Sequence, residues 1–316
     1  MTQHGATRGL LLGLLASLTF GTSGAFVKPL LEAGWSPAAA VTARAGVAGL
    51  SLLPIALVAL RGRWGAVKRA RWRILGMGLI GVAATQLVYF AAIARIPVST
   101  ALLIEYLAPL LLVIWVAVAA RRMPRAVVLI GSALAVGGLA LIIGPVGGGD
   151  PLGLVFAGLA TIGCAAYYVI AARPSDGLPP VAFAAAGLLL GAASLLLVGL
   201  VGIVPFDMVF IEVAAIGGIV PWWLPLLLVG LLTGIAYAAS IAASERLGSR
   251  LMSFVGMLEV VFAAMFAWVL LGEALSPLQL LGGALILAGI AFVRSEKQAD
   301  APLEATPIED DAVPIR

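Results

Sequence analysis

The chain has 316 residues, of which 62% are hydrophobic and only 11% are charged, and its mean hydropathy is +1.14. A soluble domain is about half apolar and about one quarter charged, so this chain has too little polar material to cover a globule in water. The formal net charge of +4 does not indicate a nucleic-acid partner, because most basic residues lie in short gaps between apolar runs. The composition therefore predicts an integral membrane protein.

Ten apolar runs are long enough to cross a hydrocarbon core of roughly 30 Å as helices. Their approximate bounds are 9–30, 38–60, 74–94, 98–120, 126–144, 152–172, 180–202, 222–243, 251–271 and 276–294. Long continuous apolar runs are typical of helices, whereas the residues of barrel strands alternate. The first run continues to Leu31, which favours a retained span over a cleaved signal peptide. We therefore predict an all-α membrane protein with ten transmembrane helices.

The basic residues predict the orientation of these spans. If the N-terminus lies in the cytoplasm, most lysine and arginine residues, including all of those in the loop 61–73, fall on the cytoplasmic side. We therefore expect both termini to be cytoplasmic, with an N-terminal tail over 1–8. The acidic, Pro- and Ala-rich tail over 295–316 is expected to be disordered. On the other side, the loop 203–221 is expected to form either a short interfacial helix or a plain connector.

The two halves of the chain resemble each other. The segment "LIGSALAVGGLALI" at 129–142 matches "LLGGALILAGIAFV" at 280–293, at a spacing of 151 residues. Since each predicted half contains five spans, the second copy must enter the membrane from the opposite side, as in many secondary transporters. We therefore predict two inverted five-helix repeats, over 9–144 and 152–294.

Small residues recur within "GSALAVGG" and "GGALILAG" on predicted spans five and ten. Small faces let helices approach closely in lipid, so we expect these faces to support packing on the side away from a central cavity. No Walker-type lysine follows the glycines, so ATP is not expected to be the direct energy source.

Few residues are available for enzyme or metal chemistry. The single cysteine, Cys164, lies in an apolar run, and the only histidine, His4, precedes the first span. One cysteine cannot form an intramolecular disulfide, and this pair cannot supply a His/Cys metal site, a Ser-His dyad or a haem ligand pair. We therefore expect no enzymatic activity, no metal and no cofactor.

Three segments carry a family resemblance: "LTFGTSGAFVKPLL" in span one, "YFAAIARIPVSTALLIEYLAPLLLVIWVAV" across spans three and four, and "GMLEVVFAAMFAWVLLGEAL" in span nine. With these segments the sequence resembles the EamA-type exporters of the drug/metabolite transporter superfamily, and its first half resembles threonine/homoserine exporters. Two features depart from the family pattern. Val260 follows Glu259 where proline is common, and the fourth span ends in "VAARRMP" without the family's "GE".

The resemblance implies a central cavity between spans 1–4 and 6–9 and export of amino acids or other small metabolites by alternating access. Transport would be coupled to protons or run downhill, across a bacterial plasma (inner) membrane. The partners would be the lipid bilayer and a small-molecule solute, and the protein would be a monomer or a homodimer. Two alternatives stay open: import of a nucleoside, vitamin or sugar derivative, and a membrane-embedded receptor or lipid-modifying protein that transports nothing.

Glu105 is an ionisable residue within a predicted span, where a charged side chain has a high free-energy cost of insertion into lipid. It lies inside "ALLIEYLAPLLLVIWV", roughly 10 Å from the outer end at 1.5 Å per residue. An ionisable group at such a depth normally faces a cavity or a partner. Two interpretations remain open: a site for a substrate amine or a proton, or a structural ion pair with Arg44, which has a matching depth in span two. Pro109 has no N–H and would clash with the carbonyl of residue 105, so we expect it to bend the helix.

Other candidates are polar or aromatic side chains within the spans. Glu259 is expected on the opposite side of the midplane from Glu105, in a cavity or in a structural pair. Candidates for lining the cavity are Gln86, Tyr89, Ser99, Thr100, Tyr106, Tyr167, Tyr168 and Tyr237. Glu273 is expected to make a helix-end contact. Lys28 would reach the interface or, alternatively, would act as a gate or contact a solute carboxylate.

Overall fold

The computed structural model describes residues 3–96, 98–121, 123–144, 150–215, 217–271 and 276–295. Within these residues the chain is almost entirely helical, as its composition predicts. The first seven α-helices and the π-helix that interrupts them are α1 Gln3–Gly21, α2 Ser23–Glu32, α3 Pro37–Ala59, α4 Trp64–Arg69, α5 Arg71–Leu75, the π-helix Gly76–Ala84, α6 Thr85–Ile93 and α7 Val98–Glu105. The remaining elements are α8 Ala108–Ala120, α9 Ala126–Ile143, α10 Pro151–Ala172, α11 Pro180–Leu200, the strands β1 Glu212–Ala215 and β2 Gly218–Pro221, and the helices α12 Trp223–Gly256, α13 Leu258–Leu271 and α14 Pro277–Ser295.

Nine helical segments in the described part of the chain are long and apolar enough to cross a membrane. They are Gly5–Glu32, Pro37–Ala59, Arg71–Ile93, Thr100–Ala120, Ala126–Ile143, Pro151–Ala172, Pro180–Leu200, Trp223–Gly256 and Pro277–Ser295. The predicted ninth span corresponds to the end of α12 together with α13, after a break at Gly248, where φ is +79° and ψ is 163°. Large apolar side chains such as Leu50 and Val155, which are 60% and 57% exposed, cover the outside of the bundle.

The first span departs from the sequence prediction in two places. The helix α1 begins at Gln3, so part of the predicted tail over 1–8 is helical. The predicted continuous first span is interrupted at Thr22, whose hydroxyl donates to the carbonyl of Thr19 at 2.7 Å. A side chain that bonds to its own backbone competes with the helical ladder, which accounts for the junction between α1 and α2.

The helices pack in pairs that recur between the two halves. In the first pattern, α1 of the first half packs against α12 of the second half, and correspondingly α10 of the second half packs against the π-helix and α6 of the first half. In the second pattern, α3 of the first half packs against α12, and correspondingly α11 of the second half packs against the π-helix. In the third pattern, α13 of the second half packs against α1, and correspondingly α7 and α8 of the first half pack against α10. Finally, α3 packs against α11, and α9 packs against α14.

Glycines set the closest of these contacts, between α9 and α14. Gly131 faces Gly289 and Gly138 faces Gly282, so the two helices run antiparallel. The spacing of 151 residues found in the sequence relates Gly131 to Gly282 and Gly138 to Gly289. Backbones that approach this closely gain dispersion contacts, which drive helix association where lipid removes the hydrophobic effect.

The loop 203–221 contains a β-hairpin, which neither of the two expectations for this loop included. The strands β1 and β2 pair antiparallel, with Glu212 opposite Pro221. Successive side chains of β1 point to opposite faces, and Val213 is the buried one, at only 4% exposed. The loop is fastened to the start of span two, because the indole Nε1–H of Trp35 donates to the carbonyl of Val209 at 2.6 Å.

Candidate functional site

The span that carries Glu105 is broken directly after this residue. The helix α7 ends at Glu105, residues Tyr106 and Leu107 form a turn, and α8 begins at Ala108. Pro109 lies in the first turn of α8, where its missing N–H leaves no helical hydrogen bond unmade. The proline therefore starts a new helix in the interior of the span, whereas the sequence had predicted only a bend.

A second break lies at the corresponding place in the other half. Met257 separates α12 from α13, and the spacing of 151 residues relates it to Tyr106. Glu259 occupies the first turn of α13, whereas Glu105 is the last residue of α7. A helix N-terminus stabilises a nearby negative charge and a C-terminus destabilises it, by about 0.3–1 kcal/mol in exposed settings. The two acids thus flank equivalent breaks in opposite electrostatic environments.

Electrostatic and aromatic interactions link eight side chains around these breaks, which we call the central cluster. Its members are Arg44, Glu105, Tyr106, Cys164, Tyr167, Tyr168, Tyr237 and Glu259. They come from α3, α7, the turn after α7, α10, α12 and α13, so both halves of the chain contribute. Glu105 and Glu259 repel each other, and Tyr106 interacts with Glu259 as a hydrogen-bond donor.

The ion pair with Arg44, which was one of the two interpretations left open for Glu105, is not formed in the described part of the chain. Among the described residues, the ion pairs within 4.0 Å are Arg73 with Glu245 and Arg95 with Asp150. The helix α3, which carries Arg44, packs mainly against α11 and α12 rather than α7. Arg44 therefore attracts Glu259 and Tyr237, and equal depth in two spans did not make Glu105 its neighbour.

The guanidinium of Arg44 is not fully satisfied. Its Nε is buried and, within the described part of the chain, has no hydrogen-bond partner. The hydroxyl of Thr233 on α12 shares this condition. Buried polar groups are nearly always hydrogen-bonded, so two such groups in neighbouring spans mark a region suited to a polar ligand or water.

Aromatic rings form a continuous row through the cluster. Phe20 meets Tyr237 edge-on with centroids 5.2 Å apart, Tyr237 meets Tyr167 at 5.6 Å, and Tyr167 meets Tyr168 at 5.1 Å. Edge-to-face pairs at these distances are favourable and hold the rings in fixed orientations. The row joins α1, α12 and α10, so it positions phenol groups from α10 and α12 around the carboxylates.

Two glycines bring neighbouring backbones against the cluster. A Cβ on Gly21 would lie 2.7 Å from the Cβ of Phe262 and 3.1 Å from the carbonyl oxygen of Glu259, so α1 rests directly on the start of α13. A Cβ on Gly256 would collide with the hydroxyl of Tyr168. Glu105, Tyr168 and Glu259 are themselves only half-buried although protein surrounds them, which indicates that they border an internal space.

The other candidates from the sequence lie partly outside the cluster. Tyr89 on α6 interacts with Glu105, and Gln86 is half-buried one turn earlier. Thr100 is buried, while Lys28 is exposed on α2. Glu273 and the side chain of Ser99 lie outside the described residues.

Sequence reasoning missed Phe20 and Cys164 as members of the site. Phe20 lies in "LTFGTS" within an apolar run, and nothing in its neighbourhood distinguishes it from packing residues. Cys164 was assessed only for disulfide and metal chemistry, whereas the structure places it beside Glu105 and Glu259. No group of three or more His, Cys, Asp or Glu residues in the described ranges is arranged to hold a metal ion.

The sequence matches the EamA-like transporter family over residues 7–144 and 151–295. The chain belongs to this family. It is a multi-pass membrane protein with two EamA repeats, which confirms the family resemblance noted in the sequence.

A solved structure, titled only as the crystal structure of a protein, has a similar fold. It superposes with a TM-score of 0.72 at 22% identity, and the match covers 90% of this chain and 96% of the other. Identity at this level relates the folds alone. The comparison with curated proteins gave no match.

Proposed function

We propose that this protein is a secondary exporter of small metabolites such as amino acids, working by alternating access in a bacterial plasma membrane. The observation that carries the proposal is the central cluster, in which two carboxylates and one guanidinium lie within the spans of a member of a transporter family. Ionisable groups inside a membrane are costly and are retained mainly along solute or proton pathways.

Charge balance assigns different roles to the two acids. Arg44 and the N-terminus of α13 both favour a negative charge on Glu259. Glu105 ends α7, and the charged group that acts on it among the described residues is Glu259, which repels it. With both acids ionised the cluster would carry one uncompensated negative charge. A proton or the ammonium group of a solute on Glu105 supplies the missing positive charge.

The same arrangement suits an amino acid. The ammonium group would contact Glu105, and the carboxylate would reach the buried Nε of Arg44, which has no partner in the described part of the chain. The side chain would lie along Tyr167, Tyr168 and Tyr237, since aromatic walls with a few polar groups are typical of sites for small amphipathic solutes. Threonine and homoserine are therefore included among the solutes to be tested.

Packing supports an inverted arrangement of two five-helix repeats, over 9–144 and 152–294. In the antiparallel contact of α9 with α14, Gly131 faces the equivalent of Gly138, and Gly138 faces the equivalent of Gly131. Such reciprocal contacts are expected of a two-fold relation, and antiparallel partners require its axis to lie in the membrane plane. The recurring pairs of α1 with α12 and of α10 with α6 fit the same relation.

An even number of spans would place both termini on the same side of the membrane, and the basic loops favour the cytoplasm for that side, together with the tails 1–8 and 295–316. Contacts of Arg73 with the carbonyl of Pro174 and with Glu245 gather the basic loops at one end of the bundle, which supports this orientation. Reporter fusions at residue 148 and after Arg294 should report opposite sides of the membrane. Reports from the same side would exclude the topology.

Flux in liposomes tests the transport function. The purified protein should catalyse counterflow of at least one member of a metabolite panel, and the rate should respond to an imposed pH gradient. Glu105→Gln keeps the shape of the side chain and removes its charge, so we expect normal insertion and loss of most transport or of its pH dependence. The groups facing Glu105 are Tyr89 from α6, Cys164 and Tyr168 from α10, Tyr237 from α12 and Glu259 from α13, with Tyr106 adjacent.

A matched control separates the role of Glu105 in transport from the effect of removing a negative charge elsewhere in the protein. Glu212→Gln makes the same chemical change on the exposed strand β1, so it should leave flux unchanged. Wild-type flux and an unaltered pH profile in Glu105→Gln would show that Glu105 does not bind the solute or the proton. Absence of flux for every solute tested, with correctly folded wild-type protein, would contradict the exporter assignment itself.

A further inference from the structure

A surface pocket lies at the end of the bundle that carries the basic loop 61–73. It has a volume of about 310 Å³, and its lining residues are Gly62, Arg63, Gly65, Ala66, Arg69 and Gly177. The floor is made of small residues, and the polar walls are the side chains of Arg63 and Arg69. Gly62 and Gly177 have φ values of +73° and +82°, so the two tight turns that bound the pocket require residues without a Cβ.

The pocket is strongly basic. The sequence has no acidic residue between Glu32 and Glu105, while the loop 61–73 alone contains six lysine and arginine residues. Arg69 is held in place because its Nη2 donates to the carbonyl oxygen of Asp176 at 3.0 Å, whereas the carboxylate of Asp176 attracts Arg73. Neither Arg63 nor Arg69 makes an ion pair with any described residue.

Two tryptophans place the pocket at the level of the lipid headgroups. Trp64 and Trp72 flank the pocket segment and are 58% and 70% exposed. Tryptophan side chains concentrate at the membrane–water interface, where the ring contacts acyl chains and the N–H contacts headgroups. Arg71 lies over the ring of Trp72 at 5.4 Å, so a further cation is held at the same level.

We propose that this basic pocket binds the headgroup phosphate of an anionic phospholipid. Arg63 and Arg69 supply planar guanidinium groups that match phosphate oxygens, and Trp64 and Trp72 keep the loop against the bilayer. Free phosphate shares this chemistry, but the flanking interfacial tryptophans favour a ligand that is itself part of the membrane. The lipid site is separate from the central cluster and does not depend on which solute is transported.

Lipid retention by the purified full-length protein tests the proposal. Protein in detergent would be offered phosphatidylglycerol or phosphatidylcholine at matched amounts, and bound lipid would be measured by native mass spectrometry. We expect the wild-type protein to retain phosphatidylglycerol preferentially. Each cation near the surface contributes about fivefold to anionic-lipid affinity, so Arg63→Gln/Arg69→Gln should lose at least about tenfold of the preference.

Two further variants and one competitor complete the test. Arg63→Lys/Arg69→Lys keeps both charges and should retain most of the preference, which also shows that the pocket tolerates substitution. Arg246→Gln removes an exposed cation whose Nη1 is bonded to the carbonyl of Ala242, and it should bind lipid as the wild type does. Equal retention of both lipids, or unchanged preference in the double glutamine variant, would overturn the proposal. Displacement of phosphatidylglycerol by equimolar inorganic phosphate would reassign the pocket to free phosphate and overturn it equally.

Discussion

Gly138 of α9 and Gly282 of α14 touch backbone to backbone. A Cβ on Gly282 would lie 2.5 Å from the carbonyl oxygen of Gly138, and a Cβ on Gly138 would lie 2.9 Å from the amide nitrogen of Ile286. The same helices meet at Gly131 and Gly289, where a Cβ on Gly289 would again lie 2.5 Å from a carbonyl oxygen. No side chain larger than hydrogen fits at these crossings without separating the two helices.

Gly138→Val should therefore destabilise the protein. The added methyl groups must push α14 away, and overpacking of this kind typically costs about 1–3 kcal/mol. Thermal unfolding in detergent should show a lower midpoint than for the wild type. Gly137→Val is the matched control, because it places the same β-branched residue one position earlier, where no atom lies within 4 Å of the added Cβ. Equal midpoints for the two variants would show that the glycine contact does not limit stability.

Gly256→Ala should affect transport more than folding. The new Cβ would displace the hydroxyl of Tyr168, the flexible end of a side chain, so the protein can accommodate it by moving the ring. Because Tyr168 interacts with both acids of the central cluster, we expect solute flux to fall several-fold with little change in the unfolding midpoint. Gly158→Ala on α10 has open space around the added Cβ and should behave as the wild type in both measurements.

The sequence was sufficient for the family and for most spans, because apolar run length and the repeat are properties of local segments. It also identified Glu105, Glu259 and Arg44 from the cost of placing charge in lipid. Their pairing could not be derived, because the partner of Arg44 depends on which helices α3 packs against. Depth along a span fixes one coordinate of a side chain, whereas contact also requires the helix position and rotation that tertiary packing determines.

Local backbone detail was predicted less well for a related reason. The π-helix Gly76–Ala84 lies within a run that has ordinary apolar composition, and the hydroxyl of Thr85 completes it by donating to the carbonyl of Ile80 at 2.7 Å. The hairpin of β1 and β2 was hidden because each strand has only 4 residues and the loop is held by contacts from elsewhere, such as that of Trp35 with Val209. Both features depend on long-range packing as much as on local propensity.

Arg73→Gln should destabilise the end of the bundle that carries the basic loops. Arg73 is 9% exposed, donates from Nη1 to the carbonyl of Pro174 at 2.7 Å and lies over the ring of Phe183 at 4.5 Å. Its Nη2 is also 3.7 Å from the carboxylate of Glu245, which the variant would leave largely buried without a cation. Breaking such a pair costs about 3 kcal/mol or less when, as here, one partner keeps some contact with solvent.

Thermal unfolding measures the destabilisation expected for Arg73→Gln, and two further variants are compared with it. Arg246→Gln removes an exposed cation beside Glu245 in sequence and should cost less than about 0.5 kcal/mol. Arg73→Met/Glu245→Met removes both charges and should recover part of the loss, because no unpaired charge remains. A double variant no more stable than Arg73→Gln would attribute the loss to the carbonyl and ring contacts instead.

Asp150 should make stability depend on pH through the junction between spans five and six. Its Oδ1 accepts the N–H of Leu152 at 3.0 Å as the N-cap of α10, and its Oδ2 accepts from Nη1 of Arg95 at 3.1 Å. The backbone N–H of Leu152 first, and then Arg95, lower the pKa of the Asp150 carboxyl below its usual range. The unfolded chain therefore binds this proton at a higher pH than the folded one. The resulting stabilisation is fully present above the ordinary aspartate pKa of about 3.9 and is lost as the pH falls through the folded value.

The variant Asp150→Asn isolates this contribution, because asparagine still caps a helix but does not titrate. The difference in unfolding midpoint between wild type and Asp150→Asn should be largest near neutral pH and should shrink towards acid. Arg95→Gln removes the ion pair and keeps the cap, so it should abolish only part of that difference, and high salt should mimic it because the pair is exposed. Parallel pH curves for wild type and Asp150→Asn would mean that the carboxylate of Asp150 does not stabilise the folded protein through its charge.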